Sequence, residues 1–136
     1  MSGNKNDLQI RIEEFISSNP NSYSETIFKQ LALDVFNFQS SNCEPYRRYI
    51  ELLGINTKNV TKIEDIPFLP VKLFKNTTVY SAQEPPQKIF TSSATTGMTP
   101  SSDPVADLSL YEHSFNRAFA LFYGSPKDFN ILALLP

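Results

Sequence analysis

Leu8, Ile12, Phe15 and Ile16 recur at i, i+4, i+7 and i+8, which gathers them on one face of a helix opened by Asn6 or Asp7 and ended before Asn19-Pro20. Ser22 and Glu25 stand three apart, as in a capping box, ahead of a second helix whose Phe28, Leu31, Val35 and Phe38 keep near-helical spacing. Ser40 to Asn42 is expected to break it. Tyr46, Tyr49, Ile50 and Leu53 mark a third helix, with Pro45 tolerated in the first turn and Gly54 free to take the left-handed conformation that stops it.

The pattern changes from Asn56. Pro67, Pro70, Pro85 and Pro86 each remove a backbone donor, so this middle stretch reads as loops and short pieces. Pro70 to Phe74 is expected to start a single helical turn, and Thr77 to Tyr80 and Lys88 to Thr91 are β-prone runs. Leu108, Tyr111, Phe115, Ala118, Phe119 and Phe122 form the apolar stripe of a fourth long helix, capped by Asp107 or Ser109 and ended at Gly124. Phe129 to Leu135 is almost continuously apolar and reads as a strand covered on both faces. Lys88 to Thr91, the helix and this last run would then make a right-handed βαβ unit. The expected class is α/β: a helical lead-in over residues 1–55, then the start of a mixed or parallel sheet over 56–136. The apolar run at the end has no helix after it, so the chain is expected to be the front of a larger protein and to associate through that strand.

Composition narrows the function classes. A formal net charge of −2, from 12 basic and 14 acidic side chains, excludes polyanion binding driven by bulk charge, so no nucleic-acid partner is expected. A chain of 136 residues buries roughly two thirds of its unfolded surface, enough for one core. The single Cys43 cannot form an internal disulfide, and Met1 to Asp7 lacks the features of a secretory signal, so the cytoplasm is the expected location. No apolar run approaches the ~20 residues needed for a transmembrane segment.

The chemistry concentrates in residues 91–102, Thr91-Ser92-Ser93-Ala94-Thr95-Thr96-Gly97-Met98-Thr99-Pro100-Ser101-Ser102, at the carboxyl end of a predicted strand. In open α/β sheets ligands bind at that end. Hydroxyls and successive backbone N–H groups donate well to phosphate oxygens, and Gly97 permits a turn that a side chain would obstruct. By composition alone a polar surface loop accounts for the same residues. The run is neither a Walker loop, having one glycine and no lysine, nor a dinucleotide-binding turn.

Ser92-Ser93-Ala94-Thr95-Thr96-Gly97 resembles the phosphate loop of adenylate-forming enzymes. Its flanks, Phe68-Leu69-Pro70-Val71 and Phe74-Lys75 before it, and Val105-Ala106-Asp107, Leu110-Tyr111-Glu112, Phe122-Tyr123-Gly124 and Ile131 to Pro136 after it, are similar to those of the acyl-protein synthetase (LuxE-type) family. The resemblance implies the N-terminal portion of an AMP-forming acid–thiol ligase of bioluminescence type. A fatty acid or other carboxylic acid would be activated with ATP to acyl-AMP and passed to a protein thiol. ATP with its Mg²⁺ would be the cofactor, and acyl-transferase or reductase proteins the partners. The implied ATP phosphate-binding residues are Ser92, Ser93, Thr95, Thr96 and Gly97. Ala94 stands where the family usually has glycine, Ser101 where many relatives place lysine, and Asp103 where a basic residue or His is expected. The adenine pocket, the carboxylate site, the acyl-accepting cysteine and the mobile C-terminal domain of the family lie further along, so residues 1–136 alone are expected to be inactive. An aryl-CoA type of carboxylate ligase and a non-catalytic binding or assembly module remain the alternatives.

Other residues have plainer readings. His113 lies off the apolar stripe with no second His or Cys nearby and reads as an exposed structural residue, and no metal-ligand cluster is expected. Cys43, beside Glu44, reads as packed rather than activated. Lys72, Lys75, Arg47 and Arg48 make either a weak basic patch or solvated faces. Phe115, Phe119 and Phe122 fit core packing better than a lipid pocket.

Overall fold

The structure is a computed structural model that describes residues 5–19, 22, 24–92, 100–130 and 132. These residues are mainly helical: α1 (Lys5–Ser17), α2 (Glu25–Asn42), α3 (Glu44–Leu52), α4 (Leu73–Asn76) and α5 (Leu108–Tyr123), with one two-stranded sheet of β1 (Lys88–Thr91) and β2 (Ser102–Val105).

The core lies at the corner between α2 and α3. Cys43 is the one extended residue between them: its N–H donates to the Gln39 carbonyl at 2.8 Å, ending α2, and its carbonyl accepts from the Arg47 N–H at 2.9 Å, starting α3. Phe36, Cys43, Tyr46 and Ile50 are buried together, with Phe36 and Tyr46 meeting edge to face at 6.2 Å. Burying side chains of this size stabilises by about 1.5–3 kcal/mol each. Phe36 lies outside the expected line Phe28, Leu31, Val35, Phe38. It is buried because it stands about two turns before Cys43, on the side that faces the corner, whereas Phe28, near the other end of α2, is exposed.

The Pro-rich middle, expected to be loops and short pieces, covers this corner. Ile55, Val60, Ile66, Leu69 and Val79 pack against the cluster, and the Tyr46 hydroxyl donates to the Pro67 carbonyl at 2.6 Å. Burial, with lesser contributions from Tyr49 and Cys43, pushes the Tyr46 phenol above its ordinary value. Gly54 ends α3 with φ +68°, the left-handed conformation its position predicts.

Several boundaries differ from those expected. Asn6 and Asp7 lie inside the first turn of α1 rather than capping it. The cap of α2 is Ser24, whose hydroxyl accepts from the Ile27 N–H at 3.3 Å, whereas the Ser22 hydroxyl donates to the Asn19 carbonyl. Ser40, Ser41 and Asn42 do not break α2, because their side chains donate to the carbonyls of Asn37 and Phe38 within the same helix. The helical turn expected to start over Pro70 to Phe74 is present, the Leu73 N–H donating to the Pro70 carbonyl at 2.9 Å and the turn running on into α4, whereas Thr77 to Tyr80 joins no ladder.

The largest difference is topological. β1 pairs antiparallel with β2, Lys88 opposite Val105 and Thr91 opposite Ser102, so the described sheet is a hairpin and contains no parallel crossover. Pro104 is tolerated in β2 because a two-stranded sheet has only edges. Of the apolar run Phe129 to Leu135, the described Phe129, Asn130 and Leu132 are in no strand.

Candidate functional site

Ser92 and Ser101 pinch the two ends of the hydroxyl-rich segment together. The Ser92 N–H donates to the Ser101 carbonyl at 3.2 Å, and the Ser101 N–H donates to the Ser92 hydroxyl oxygen at 2.9 Å. Ser92 thus spends an acceptor lone pair on closing the neck and keeps its hydroxyl proton to donate. Of the five expected phosphate-binding residues, Ser92 is placed at this neck; Ser93, Thr95, Thr96 and Gly97, with Ala94, lie outside the described residues.

The hairpin below the neck is anchored at both sides. The Gln87 N–H donates to the Val105 carbonyl at 2.9 Å, and the Gln87 side-chain oxygen accepts from the Leu108 N–H at 3.0 Å, tying the base of β1 to the start of α5. Asp107 caps α5 by accepting from the Ser109 N–H at 2.8 Å. That bond first, then those from the Gln9 amide and the Ser109 hydroxyl, hold the Asp107 carboxyl below its usual range.

The seam between α1 and α5 is polar. Gln9 donates to Asp107 at 3.1 Å, the Ser17 hydroxyl and His113 Nε2 are 3.0 Å apart, and Arg117 donates to the Ser18 carbonyl at 3.2 Å. His113 therefore has the exposed structural role expected of it, joining two helices. The aromatic stripe of α5 is turned elsewhere. Phe115 and Phe122 are exposed and Phe119 half-buried, against the core role expected of the three from their spacing, because the seam with α1 is made by the opposite, polar line of the helix.

Sequence reasoning placed Ser101 only as a departure from a lysine pattern and missed its closing bond with Ser92; two serines flanking the run were the available signal. The contact of Phe90 with Tyr111, 5.4 Å between ring centroids, joins a strand to a helix and leaves no periodic trace.

Cys43 is 1% exposed and packed, as its setting suggested. Arg48 pairs with Glu44, and Arg47 reaches the Ser41 carbonyl at 3.1 Å, so both are held at their own corner while Lys72 precedes α4 and Lys75 lies in it; no described partner draws the four into a patch. A cavity of about 610 Å³ is a cleft lined by α1, α2 and the stretch from Thr57 to Val60, with the Arg11–Asp34 pair, 2.8 Å apart, in its wall. No hairpin residue lines it. No group of three or more His, Cys, Asp or Glu side chains is gathered among the described residues, and no helix among them is long and apolar enough to cross a membrane.

Comparison with known proteins bears on the whole arrangement. Long-chain-fatty-acid–luciferin-component ligase of Photorhabdus luminescens is 37% identical over 75 residues, a match that takes in 54% of this chain and spans 64% of that relative. No solved structure matches. The family model of acyl-protein synthetase, LuxE, matches residues 1–118, a span containing all five helices' starts, the hairpin and the entire hydroxyl-rich run, and the chain belongs to that family.

Proposed function

We propose that this chain contributes the phosphate-holding part of a ligase that activates a fatty acid with ATP. A carboxylate oxygen bonds to the α-phosphorus of ATP, the bond to the β-phosphate breaks, and pyrophosphate leaves; a thiol sulfur then takes the acyl group and AMP departs. The observation that carries this reading is the family match over residues 1–118, which includes the whole of 91–102.

The donor set suits a triphosphate. A neck that uses the Ser92 oxygen as an acceptor leaves its hydroxyl proton available to donate, and preorganised donors are what stabilise charge on a departing pyrophosphate. Ser93, Thr95, Thr96 and Gly97 would supply further hydroxyl and backbone donors. Mg²⁺ would accompany the nucleotide on its own phosphate oxygens, as it commonly does in such sites.

ATP–pyrophosphate exchange with the full-length protein tests the reading. Exchange dependent on a long-chain fatty acid is expected, with aryl acids much poorer. Thr95→Val and Thr96→Val should each lower kcat/KM roughly ten- to a hundredfold, the effect of a lost bond to a charged group of about 1.5–3 kcal/mol. Absence of exchange with every carboxylic acid, together with no ATP binding at millimolar concentration, would leave a non-catalytic assembly module instead.

A further inference from the structure

The joint between the hairpin and α5 is short, and one side chain closes it. β2 ends at Val105 and α5 starts at Leu108, so Ala106 and Asp107 are the covalent link between them. Each linking residue brings two soft dihedrals, enough for the hairpin to swing on the helix. Gln87 spans that link from the neighbouring strand. Its N–H donates to the Val105 carbonyl at 2.9 Å, before the link, and its side-chain oxygen accepts from the Leu108 N–H at 3.0 Å, after it. The two bonds close a ring around Ala106 and Asp107. The Leu108 N–H lies in the first turn of α5 and has no acceptor within its own helix, so Gln87 supplies the one it lacks. Among the described residues this is the hydrogen bond that joins the hairpin to α5. A second contact, Phe90 with Tyr111 at 5.4 Å between ring centroids, comes three residues further along both elements. Two points of attachment fix a direction where a single bond would allow rotation.

We infer that Gln87 is a positioning residue for the activation of the acid: by locking this joint it holds the Ser92–Ser101 neck, and with it the hydroxyl-rich segment, at one angle to α5. The inference rests on the ligase reading for the identity of the reaction. Gln87 acts through the hairpin as a lever. From Gln87 to Ser92 the strand advances about 17 Å, so a swing of about 5° at the base moves the neck by about 1.5 Å, and a misplacement near 1 Å costs up to about a hundredfold in rate. Bound triphosphate can follow a segment that has shifted. The charge that appears as pyrophosphate departs needs donors already in place, so a loose joint lowers kcat more than it raises KM for ATP.

The experiment follows ATP–pyrophosphate exchange by the full-length protein with a long-chain fatty acid, in Gln87→Leu, Gln87→Glu and, as a control at an exposed position earlier in the chain, Gln83→Leu. Gln87→Leu keeps the size of the side chain and loses its acceptor; kcat should fall about tenfold or more while KM for ATP changes by less than about threefold. Gln87→Glu returns an oxygen of the same reach, and the N-terminus of a helix favours its charge, so kcat should recover to within about threefold of the unsubstituted protein. Gln83→Leu should leave both constants unchanged. Hydrogen exchange read by mass spectrometry is expected to quicken over the start of α5 in Gln87→Leu alone, with Tm unmoved because Gln87 is exposed. An unaltered kcat in Gln87→Leu would overturn the inference and leave the ligase standing. A loss that Gln87→Glu does not restore, or one that follows a drop in Tm, would overturn it too, since the side chain would then be structural only. If the unsubstituted protein exchanges with no carboxylic acid, the ligase reading falls and the positioning role falls with it.

Discussion

The corner between α2 and α3 and the outer face of α5 draw on the same kinds of residue and use them in opposite ways. At the corner, a single extended residue turns the chain so that Phe36, Tyr46 and Ile50 converge, and the Pro-rich stretch from Ile55 to Val79 closes over them. On α5, the side chains that hold the helix to the molecule are Asp107, His113 and Arg117, and the aromatic residues point away from the seam. An apolar stripe at helical spacing therefore tells which residues share a face. It does not tell whether that face is turned inward, which depends on the partner that the opposite line of the helix finds.

Truncation at the two places should separate them most sharply. Phe36→Ala leaves a cavity in the corner and is expected to cost about 3–5 kcal/mol in urea unfolding, whereas Phe122→Ala, on the open face, should stay within about 0.5 kcal/mol. Equal costs would mean that α5 is packed as tightly as the corner. Tyr46→Phe keeps the ring and strands the Pro67 carbonyl, so a loss of about 1–3 kcal/mol is expected from the same measurement. A neutral result would show that the middle stretch is held by apolar contact alone.

The α2 caps give a smaller test. Ser24→Ala should cost about 1 kcal/mol and Ser22→Ala almost nothing, since only Ser24 accepts from the helix; the reverse order would restore the capping box at Ser22. The smallest effect is expected at the α1–α5 seam under acid. The Asp107 carboxyl titrates lower in the folded chain than in the unfolded one, so its contribution is complete above the ordinary carboxyl value of about 4 and fades as pH falls through the lower native value. Asp107→Asn keeps a capping acceptor but loses this dependence. Its Tm should lie slightly below that of the unsubstituted chain at neutral pH and converge with it in acid, as followed by circular dichroism.

What was legible in the sequence divides along the same line. The extents of α3 and α5, the Gly54 and Gly124 stops, the start of β1 and the Asp107 cap follow from local rules of periodicity, capping and left-handed backbone, and each is found where expected. The continuation of α2 through Ser40 to Asn42 was hidden because the same side chains that favour turns also bond back to their own helix. β2 was hidden because Ser102-Asp103-Pro104-Val105 has no alternation for a sheet with open edges, so its pairing with β1 is purely tertiary. At the candidate site, the residue types were readable and the closing bonds between Ser92 and Ser101 were not, since a side-chain acceptor nine residues away follows no repeat.

Cys43, the chain's one thiol, gives the corner a built-in clock. An alkylating reagent reaches that sulfur only when α2 and α3 part, so in the regime where closing outruns labelling, the modification rate measures how often the hinge opens. Mass spectrometry of the alkylated protein would then time this one event, free of contributions from α5 and the hairpin, and show whether occupying a distant site slows it.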